Sequence, residues 1–168
     1  CLLEAETRFH DNVRVLDYSP TITAYCKSLE MILKKNLFDK FRKKKLKDND
    51  LENLLNEAKS DKKVSQFVSL INFFKTSRIE LGSMNQIITL LDGKTVERVS
   101  LLKDLRQYIE NYYPMILENN YMDQFKEMIN VYRNPATHEK IFSAEEMKEL
   151  RNKIFSLLNT ITQLRIVN

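Results

Sequence analysis

The chain is 168 residues long, and its 43% hydrophobic and 30% charged residues can form a core with a solvated surface, which excludes a disordered tail. Only two glycines and three prolines occur, too few for the turns of a β-rich or α/β domain of this length, so the composition favours long helices. The net charge of +4 is compatible with a nucleic-acid partner but does not demonstrate one.

No apolar run approaches the ~18 residues that a membrane-spanning helix needs, and acidic residues interrupt the N-terminal segment where a secretory signal would be apolar. Cys1 and Cys26 form neither a CxxC pair nor a ligand spacing, so we expect Cys26 in the core and the protein in the cytoplasm. The sequence starts at Cys1 rather than at Met, which predicts a longer protein with an upstream sensor domain.

The first half of the chain predicts helices of different lengths. A short first helix is indicated by apolar residues at helical spacing, which are Leu2, Phe9, Val13 and Leu16. Ser19 and Pro20 form a hydroxyl N-cap followed by Pro at the first helical position, so a long amphipathic helix is expected from there to about Lys44. Residues 46–80 predict two shorter helices separated near Ser60.

The second half predicts four more helices. One opens at Leu81 and stops at Asp92, another runs from Val99 to Tyr112, and residues 122–132 carry a single apolar stripe. The final helix begins with a capping box, Ser-Ala-Glu-Glu at 143–146, flanked by a hydrophobic staple of Phe142 and Met147. Its apolar positions alternate three and four residues apart, and they are Met147, Leu150, Ile154, Leu157, Ile161 and Leu164. Such a seam predicts close helix packing, within the bundle or across a dimer.

One group of residues carries chemistry, the run from Arg133 to His138 between the last two predicted helices. Pro135 disfavours helical geometry at Asn134, so the helix is expected to end there. Arg133 follows Ile129 by four residues and therefore points along the apolar stripe. Arg followed by His at this distance is a short pattern that also occurs by chance, so its context carries more weight than its spacing.

In these residues the sequence resembles HEPN domains, whose signature is Arg-x4–6-His with a polar residue, often Asn, directly after the Arg. The order of elements is similar too: Tyr-Ser-Pro at 18–20 leads into a long helix with Tyr-Cys-Lys-Ser-Leu-Glu at 25–30, and Leu-Gly at 81–82 opens a short helix. The resemblance covers about two-thirds of the chain. It implies a single all-α, HEPN-like helical bundle over residues 1–168, in which residues 46–80 are a helical insertion.

The resemblance implies that Arg133, Asn134 and His138 are catalytic and that the chain is a metal-independent endoribonuclease, a toxin or an anti-phage or stress effector. The residue types suit the chemistry, because a His can move protons near neutral pH while an Arg holds the phosphate that the RNA 2′-hydroxyl attacks. No metal-ligand spacing is present, so neither a metal nor another cofactor is expected. Lys140 is a candidate for holding substrate phosphate; the HEPN toxins that are controlled by AMPylation have Tyr there, so such control is not implied.

HEPN nucleases are homodimers, so the resemblance implies a cleft lined by both copies of Arg133, Asn134 and His138, with RNA as the substrate. One Arg and one His are too few to bind a phosphate, deprotonate the nucleophile and protonate the leaving oxygen, and two-fold symmetry would supply two of each. The interface is expected either at the seam of the final helix or in the apolar region beside Tyr132.

Several alternatives stay open at this point. The chain could be a non-catalytic HEPN-like module for dimerisation, nucleotide binding or partner docking, with Arg133 favouring the helix dipole and His138 in a surface loop. A second alternative is a phosphotransfer bundle that uses His10 or His138. That function needs an exposed histidine in mid-helix, whereas His138 lies in a predicted break and His10 in a short segment. The basic run from Lys40 to Lys47 is either an RNA-backbone contact or a solvated helix end. Glu30 either pairs with Arg133 or faces solvent.

Overall fold

The computed structural model of the protein describes residues 2–11, 17–65, 68–91, 93–136 and 140–162. Over these ranges the backbone consists of helices and their connecting turns without a β-strand, which confirms the predicted all-α class. None of the helices in the same ranges is long and apolar enough to cross a membrane.

The helices follow the predicted order. The first half contains α1 (Leu2–Asp11), α2 (Ser19–Leu33), a first π-helical turn (Lys34–Phe38), α3 (Asp39–Lys45), α4 (Leu51–Ser60), α5 (Lys62–Ser65) and α6 (Val68–Thr76). The second half contains α7 (Leu81–Leu91), α8 (Ser100–Tyr112), a 3₁₀ turn (Pro114–Leu117), α9 (Asn119–Glu127), a second π-helical turn (Met128–Arg133), α10 (Asn134–Ala136) and α11 (Ala144–Thr162). Of the residues that predicted the first helix, Val13 and Leu16 lie outside the described residues.

The centre of the bundle is α2. It packs against α1, α7, α11 and the second π-helical turn, and its fully buried side chains are Ile22, Tyr25, Leu29 and Leu33. Burial of each such side chain contributes about 1.5–3 kcal/mol. The first π-helical turn continues α2 into α3 without a break, so one helical segment runs from Ser19 to Lys45, as predicted.

The start of α2 differs from the prediction. The N-cap residue is Tyr18 rather than Ser19, and no side chain caps the helix from that position. The Ser19 N–H donates to Asp17 Oδ1 at 2.9 Å, and the Ser19 hydroxyl lies 2.6 Å from both Asp17 Oδ1 and the Lys140 carbonyl oxygen. The bonds from Ser19 hold the pKa of Asp17 below its ordinary value. Ser19 therefore does not cap the helix. Its hydroxyl instead connects the start of α2 to the backbone of Lys140, which precedes α11.

The expectation that the helix ends at Asn134 is wrong. Asn134 has helical φ and ψ angles of −66° and −49°, and the chain stays helical through Ala136. The Asn134 N–H donates to the Ile129 carbonyl, five residues back, which is the π-helical pattern. Pro135 has no N–H, and in an α-helix its ring would collide with the carbonyl four residues earlier; a wider π turn relieves that collision. Pro135 thus distorts the helix without ending it, and Arg133 is the last residue of the distortion.

The start of α11 matches its prediction. The Ser143 N–H donates to Glu146 Oε2 at 2.9 Å and the Glu146 N–H donates to Ser143 Oγ at 3.2 Å, so the capping box is formed. The staple residues Phe142 and Met147 are both fully buried. The seam residues are also buried in the chain's own core, and they are Met147, Leu150, Ile154, Leu157 and Ile161. Leu164 lies outside the described residues.

Parts of both surfaces that the sequence suggested for a dimer interface are buried within the chain. The seam of α11 is buried, and α11 packs against α2 and α9. Tyr132 is 3% exposed, and its ring stacks on Phe142 with 6.0 Å between the centroids. The described residues of the seam are therefore used within the chain, whereas the region beside Tyr132 still exposes Val131 and Ile141, at 42% and 68%, and stays a candidate for the interface.

The described part of residues 46–80 contains three helices where two were predicted. The first predicted helix is α4, and α5 and α6 lie where the second was predicted, on either side of residues 66–67, which are outside the described residues. Ala58 and Phe73 are fully buried in the same hydrophobic core as α2. The Glu57 carboxylate accepts the Ser100 N–H at 3.1 Å and the Ser100 hydroxyl at 3.2 Å, so α4 caps the N-terminus of α8. α4 packs against α8, and α6 packs against α4 and α7, so these helices are part of the bundle's core.

Candidate functional site

Arg133 ends the second π-helical turn with a half-buried side chain. Its Nη1 donates to the Asn134 side-chain oxygen at 2.9 Å, so the neighbouring amide orients the guanidinium. The ion pairs among the described residues do not include Arg133. An arginine presents five N–H donors in a fixed fork that matches a carboxylate or a phosphate. Within the part of the chain that is described, this charge is left available to an anion.

Arg133 opens into a pocket of about 230 Å³ between α2 and the start of α7. Its other lining residues are Thr23, Cys26, Lys27, Glu30, Glu80 and Leu81. The packing of α2 against both the second π-helical turn and α7 brings these side chains together. We call this space the Arg133 pocket.

Glu30 lies in the Arg133 pocket but is not paired with Arg133. One carboxylate oxygen forms an ion pair with Lys27, and the other accepts the Leu81 N–H at 3.1 Å. The Glu30 side chain is only 13% exposed, so it does not face solvent either. Its contacts cap the N-terminus of α7 and fix α7 against α2, because a carboxylate at a helix N-terminus satisfies a backbone donor and favours the dipole.

Cys26 is a core residue, as predicted. Its thiol is buried and donates to the Met128 sulfur at 3.6 Å. Burial raises the pKa of Cys26 to about 12, although the charge of Arg133 opposes that rise. The neutral thiol packs α2 against the second π-helical turn and offers no nucleophile at neutral pH.

An open groove of about 490 Å³ adjoins the Arg133 pocket and shares Thr23 and Lys27 with it. The groove reaches Arg8 on α1 and Ala136, the last described residue before the segment 137–139. His138, the predicted proton-transfer residue, belongs to that segment and lies outside the described residues.

The pocket and groove hold slightly more negative than positive charge, because Arg8, Lys27 and Arg133 lie among four carboxylates, which are Glu4, Asp17, Glu30 and Glu80. Arg8 pairs with Glu4 at 2.8 Å, and Lys27 pairs with Glu30, so both of these cations already have carboxylate partners. Arg133 differs from them because its hydrogen bond goes to a neutral amide. The site is therefore built around one available cation rather than around an extended positive surface.

Lys140 has mainly structural contacts. Its ammonium lies 2.9 Å from Glu146 Oε1 and 4.3 Å above the centre of the Phe142 ring. The Ser143 N–H and the Lys140 ammonium hold the pKa of Glu146 below its ordinary value. The Lys140 N–H also donates to the Pro135 carbonyl at 3.2 Å. Lys140 therefore braces the start of α11 beside the predicted motif, and a substrate phosphate would have to compete with Glu146 for it.

His10 and the basic run from Lys40 to Lys47 lie outside the Arg133 pocket. His10 lies on α1, 69% exposed and 3.8 Å from Glu6, away from mid-helix. In the basic run, Arg42 donates to the Phe74 carbonyl at 2.8 and 3.1 Å, and Lys45 pairs with Asp48 and Asp104. Arg42 and Lys45 are therefore structural, while the other lysines of the run remain exposed.

Sequence reasoning did not identify Thr23, Lys27 and Glu80 as residues of the site. They are ordinary polar residues of helices or turns, and only the packing of α2 against α7 brings them to Arg133. Among the described residues, no three His, Cys, Asp or Glu side chains lie together as a metal site requires. Comparisons with protein-family models, with curated proteins and with solved structures found no significant match.

Proposed function

We propose that the protein is a metal-independent endoribonuclease of the HEPN type, with Arg133, Asn134 and His138 as its catalytic residues and a role as a toxin or as an anti-phage or stress effector. The observation that supports the proposal is the environment of the Arg133 guanidinium. Its half-buried guanidinium is oriented by Asn134, opens into a pocket, and has no carboxylate partner among the described residues. Such a guanidinium suits the two non-bridging oxygens of a phosphodiester.

In the proposed reaction, the 2′-oxygen of one nucleotide attacks the adjacent phosphorus and the bond to the next 5′-oxygen breaks. The products are a 2′,3′-cyclic phosphate and a free 5′-hydroxyl. One His138 accepts the 2′-hydroxyl proton, and His138 of a second copy donates a proton to the leaving oxygen. Arg133 stabilises the negative charge that develops on the phosphate oxygens, and Asn134 keeps the guanidinium in place. The active unit is accordingly a homodimer with RNA as its substrate.

The test is cleavage of RNA by the full chain in the presence of EDTA, followed on a gel and by chemical analysis of the product ends. His138→Ala should reduce the rate by about 10²–10⁴-fold, the usual contribution of general acid–base catalysis. His10→Ala is the matched control, since His10 is an exposed histidine on α1, and it should leave the rate unchanged. Full activity of His138→Ala, with contaminating nuclease excluded, would disprove the mechanism.

A second candidate function is a non-catalytic module that binds a nucleotide. Arg8 and Lys27 are already paired with acids, and the lining as a whole has more carboxylates than cations, so the one available guanidinium suits a single phosphate group better than a long polyanion. The same experiment separates the two functions. Retention of a nucleotide through Arg133 without any cleavage of RNA supports the binding module.

A further inference from the structure

We propose a second RNA-binding site on α3 and α8, in which a pocket receives one unstacked base and exposed lysines hold the neighbouring phosphates. The site lies at the other end of the α2–α3 segment from the Arg133 pocket. The inference rests on the proposed function only in taking the polymer to be RNA, because the binding itself needs no cleavage.

The pocket has a volume of about 240 Å³ and lies between the end of α3 and the middle of α8. It is smaller than the roughly 300–1,000 Å³ that drug-sized ligands occupy, so it suits a single flat base better than a whole cofactor. Gln107 and Asn111 line it with exposed side-chain amides, each of which has both donors and an acceptor. Exposed donors and acceptors that line a pocket of this size are what reading the edge of a splayed base requires.

Aromatic rings lie in and beside this pocket. Tyr108 lines it and Lys44 Nζ lies 5.7 Å from the centre of its ring. Tyr112 is 44% exposed, and its ring centre is 4.8 Å from that of Tyr108. Burial, with smaller effects of the neighbouring Tyr113 and Tyr112, raises the pKa of Tyr108 to about 12, so its hydroxyl remains a donor at neutral pH. An exposed ring next to a polar pocket is a platform on which a base can stack.

The charges around the pocket favour a polyanion. Lys43, Lys44 and Lys47 are exposed, and among the described residues none of them takes part in an ion pair. Asp48 and Asp104 both pair with Lys45, at 3.0 and 2.5 Å, and this one lysine offsets one of the two negative charges. The three exposed lysines outweigh the other, so these six side chains keep a net positive charge. Clustered cations interleaved with aromatic rings are typical of surfaces that bind single-stranded nucleic acid.

The position of the second site suits a strand that also reaches Arg133. Lys44 follows Glu30 of the Arg133 pocket by 14 residues in the same helical segment, which is about 21 Å at 1.5 Å per residue. One strand of several nucleotides can span that distance. Near the Arg133 pocket, Arg8 and Lys27 are paired with carboxylates and add little affinity for RNA. The second site supplies that affinity.

The test measures binding of an RNA of about 16 nucleotides by fluorescence anisotropy. Every 2′-hydroxyl is methylated, so the strand cannot be cut and failure of the cleavage proposal does not affect the result. Lys43→Ala/Lys44→Ala should weaken binding and lower the slope of log affinity against log salt by roughly 1.4, about 0.7 for each lost phosphate contact. Lys94→Ala/Lys148→Ala is the control, because it removes two exposed lysines elsewhere and changes the net charge equally.

Tyr112→Ala should weaken binding about tenfold with little change in the salt slope, whereas Tyr112→Phe, which keeps the ring, should bind like the parent protein. Equal affinities of the lysine variant and its control would overturn the proposal. It is also overturned if Tyr112→Ala has no effect and an acidic polypeptide displaces the RNA, because the lysines then form a general surface for acidic partners. Loss of cleavage in His138→Ala with normal binding leaves this site intact.

Discussion

The two π-helical turns of the protein have the same backbone pattern but use their cations differently. In the first turn, Lys34 forms an ion pair with Asp39 at 2.8 Å, and Leu37 and Phe38 are fully buried. In the second turn, Arg133 donates to the Asn134 amide and belongs to none of the ion pairs of the described residues. Both turns interrupt long helices in the bundle, and the second presents the charge of Arg133 to a pocket.

The comparison shows that a π-helical turn is not evidence of function by itself. Such turns are frequent at functional sites, yet the first turn here is accounted for by packing and by one ion pair. The informative feature is the partner of the cation. A charge neutralised by its own helix stabilises the fold, whereas a half-buried arginine without a carboxylate partner is prepared for a ligand.

The largest expected effect separates the two cations directly. Arg133→Ala should lower the rate of RNA cleavage by about 10²–10³-fold, because it removes the donors that stabilise the developing charge. Lys34→Ala, the matched change in the first turn, should leave the rate unchanged. Single-turnover cleavage rates and thermal unfolding of both variants measure this. If both variants lost activity equally, the distinction between the two turns would fail.

The next prediction concerns the proline that distorts the second turn. Pro135→Ala restores a backbone N–H and allows an ordinary α-helix, which should raise the free energy of unfolding by about 1 kcal/mol. The same change rotates Arg133 away from its position, so the cleavage rate should fall by about 10²-fold, as for a small misplacement of a catalytic group. Pro114→Ala, in the 3₁₀ turn, is the control. A more active Pro135→Ala protein would contradict the importance of the π-helical geometry.

A smaller effect is expected at a cation that is fully partnered. Arg151 on α11 binds Glu6 of α1 through two hydrogen bonds of 2.7 and 2.9 Å, and this contact, with help from the Tyr25 hydroxyl, lowers the pKa of Glu6. Glu6→Gln should cost about 1–3 kcal/mol of the free energy of unfolding at pH 7. Activity per folded molecule should not change.

The pH dependence of this contact has a definite sign. A carboxyl whose pKa is lowered by folding contributes stability above its unfolded value, here 4.5, and loses it as the pH falls through the folded value. The difference in unfolding free energy between parent and Glu6→Gln should therefore be constant above about pH 5.5 and shrink below pH 4.5. Glu4→Gln, which removes the same charge from the same helix at an exposed ion pair with Arg8, is the control for the change in net charge.

The smallest effect is expected for the ion pair of the first turn. Lys34 and Asp39 are each about 30% exposed, at 31% and 28%, so Lys34→Ala should cost at most about 1 kcal/mol of the free energy of unfolding. Chemical denaturation at low and high salt measures the cost, and salt should reduce it further. A loss of several kcal/mol would mean that the ion pair, rather than the buried Leu37 and Phe38, holds this turn.

Local signals predicted much of the fold. The capping box of Ser143 and Glu146 involves residues three apart, and the apolar seam of α11 repeats within one helix, so both could be predicted from the chain. The π-helical turns could not, because apolar spacing does not show where a helix widens by one residue in a turn. A residue before proline disfavours helical geometry, but at Asn134 this preference was overridden by the packing of Met128, Ile129 and Tyr132, which are all buried.

The candidate site was predictable only in part, for a related reason. Arg133 and Asn134 are adjacent in sequence, and the structure pairs them. The surroundings of Arg133 depend on contacts between distant residues: Glu30 caps Leu81 from 51 positions away, and this bond places both beside Arg133. No periodicity or short motif encodes such a contact. Homologues would be needed to detect it from sequence, through paired substitutions.

The bond between Glu6 and Arg151 also has a consequence for the order in which the protein folds during synthesis. The two residues are 145 positions apart, so α1 gains this contact only after α11 has been made. At roughly 5–20 residues per second, about 7–30 s pass between the synthesis of the two residues. Closing so long a loop is slow and comes late in folding. During that interval α1 can already pack on α2, but Glu6 lacks its partner and the Phe9 ring lacks the Arg151 guanidinium that lies 5.5 Å from its centre.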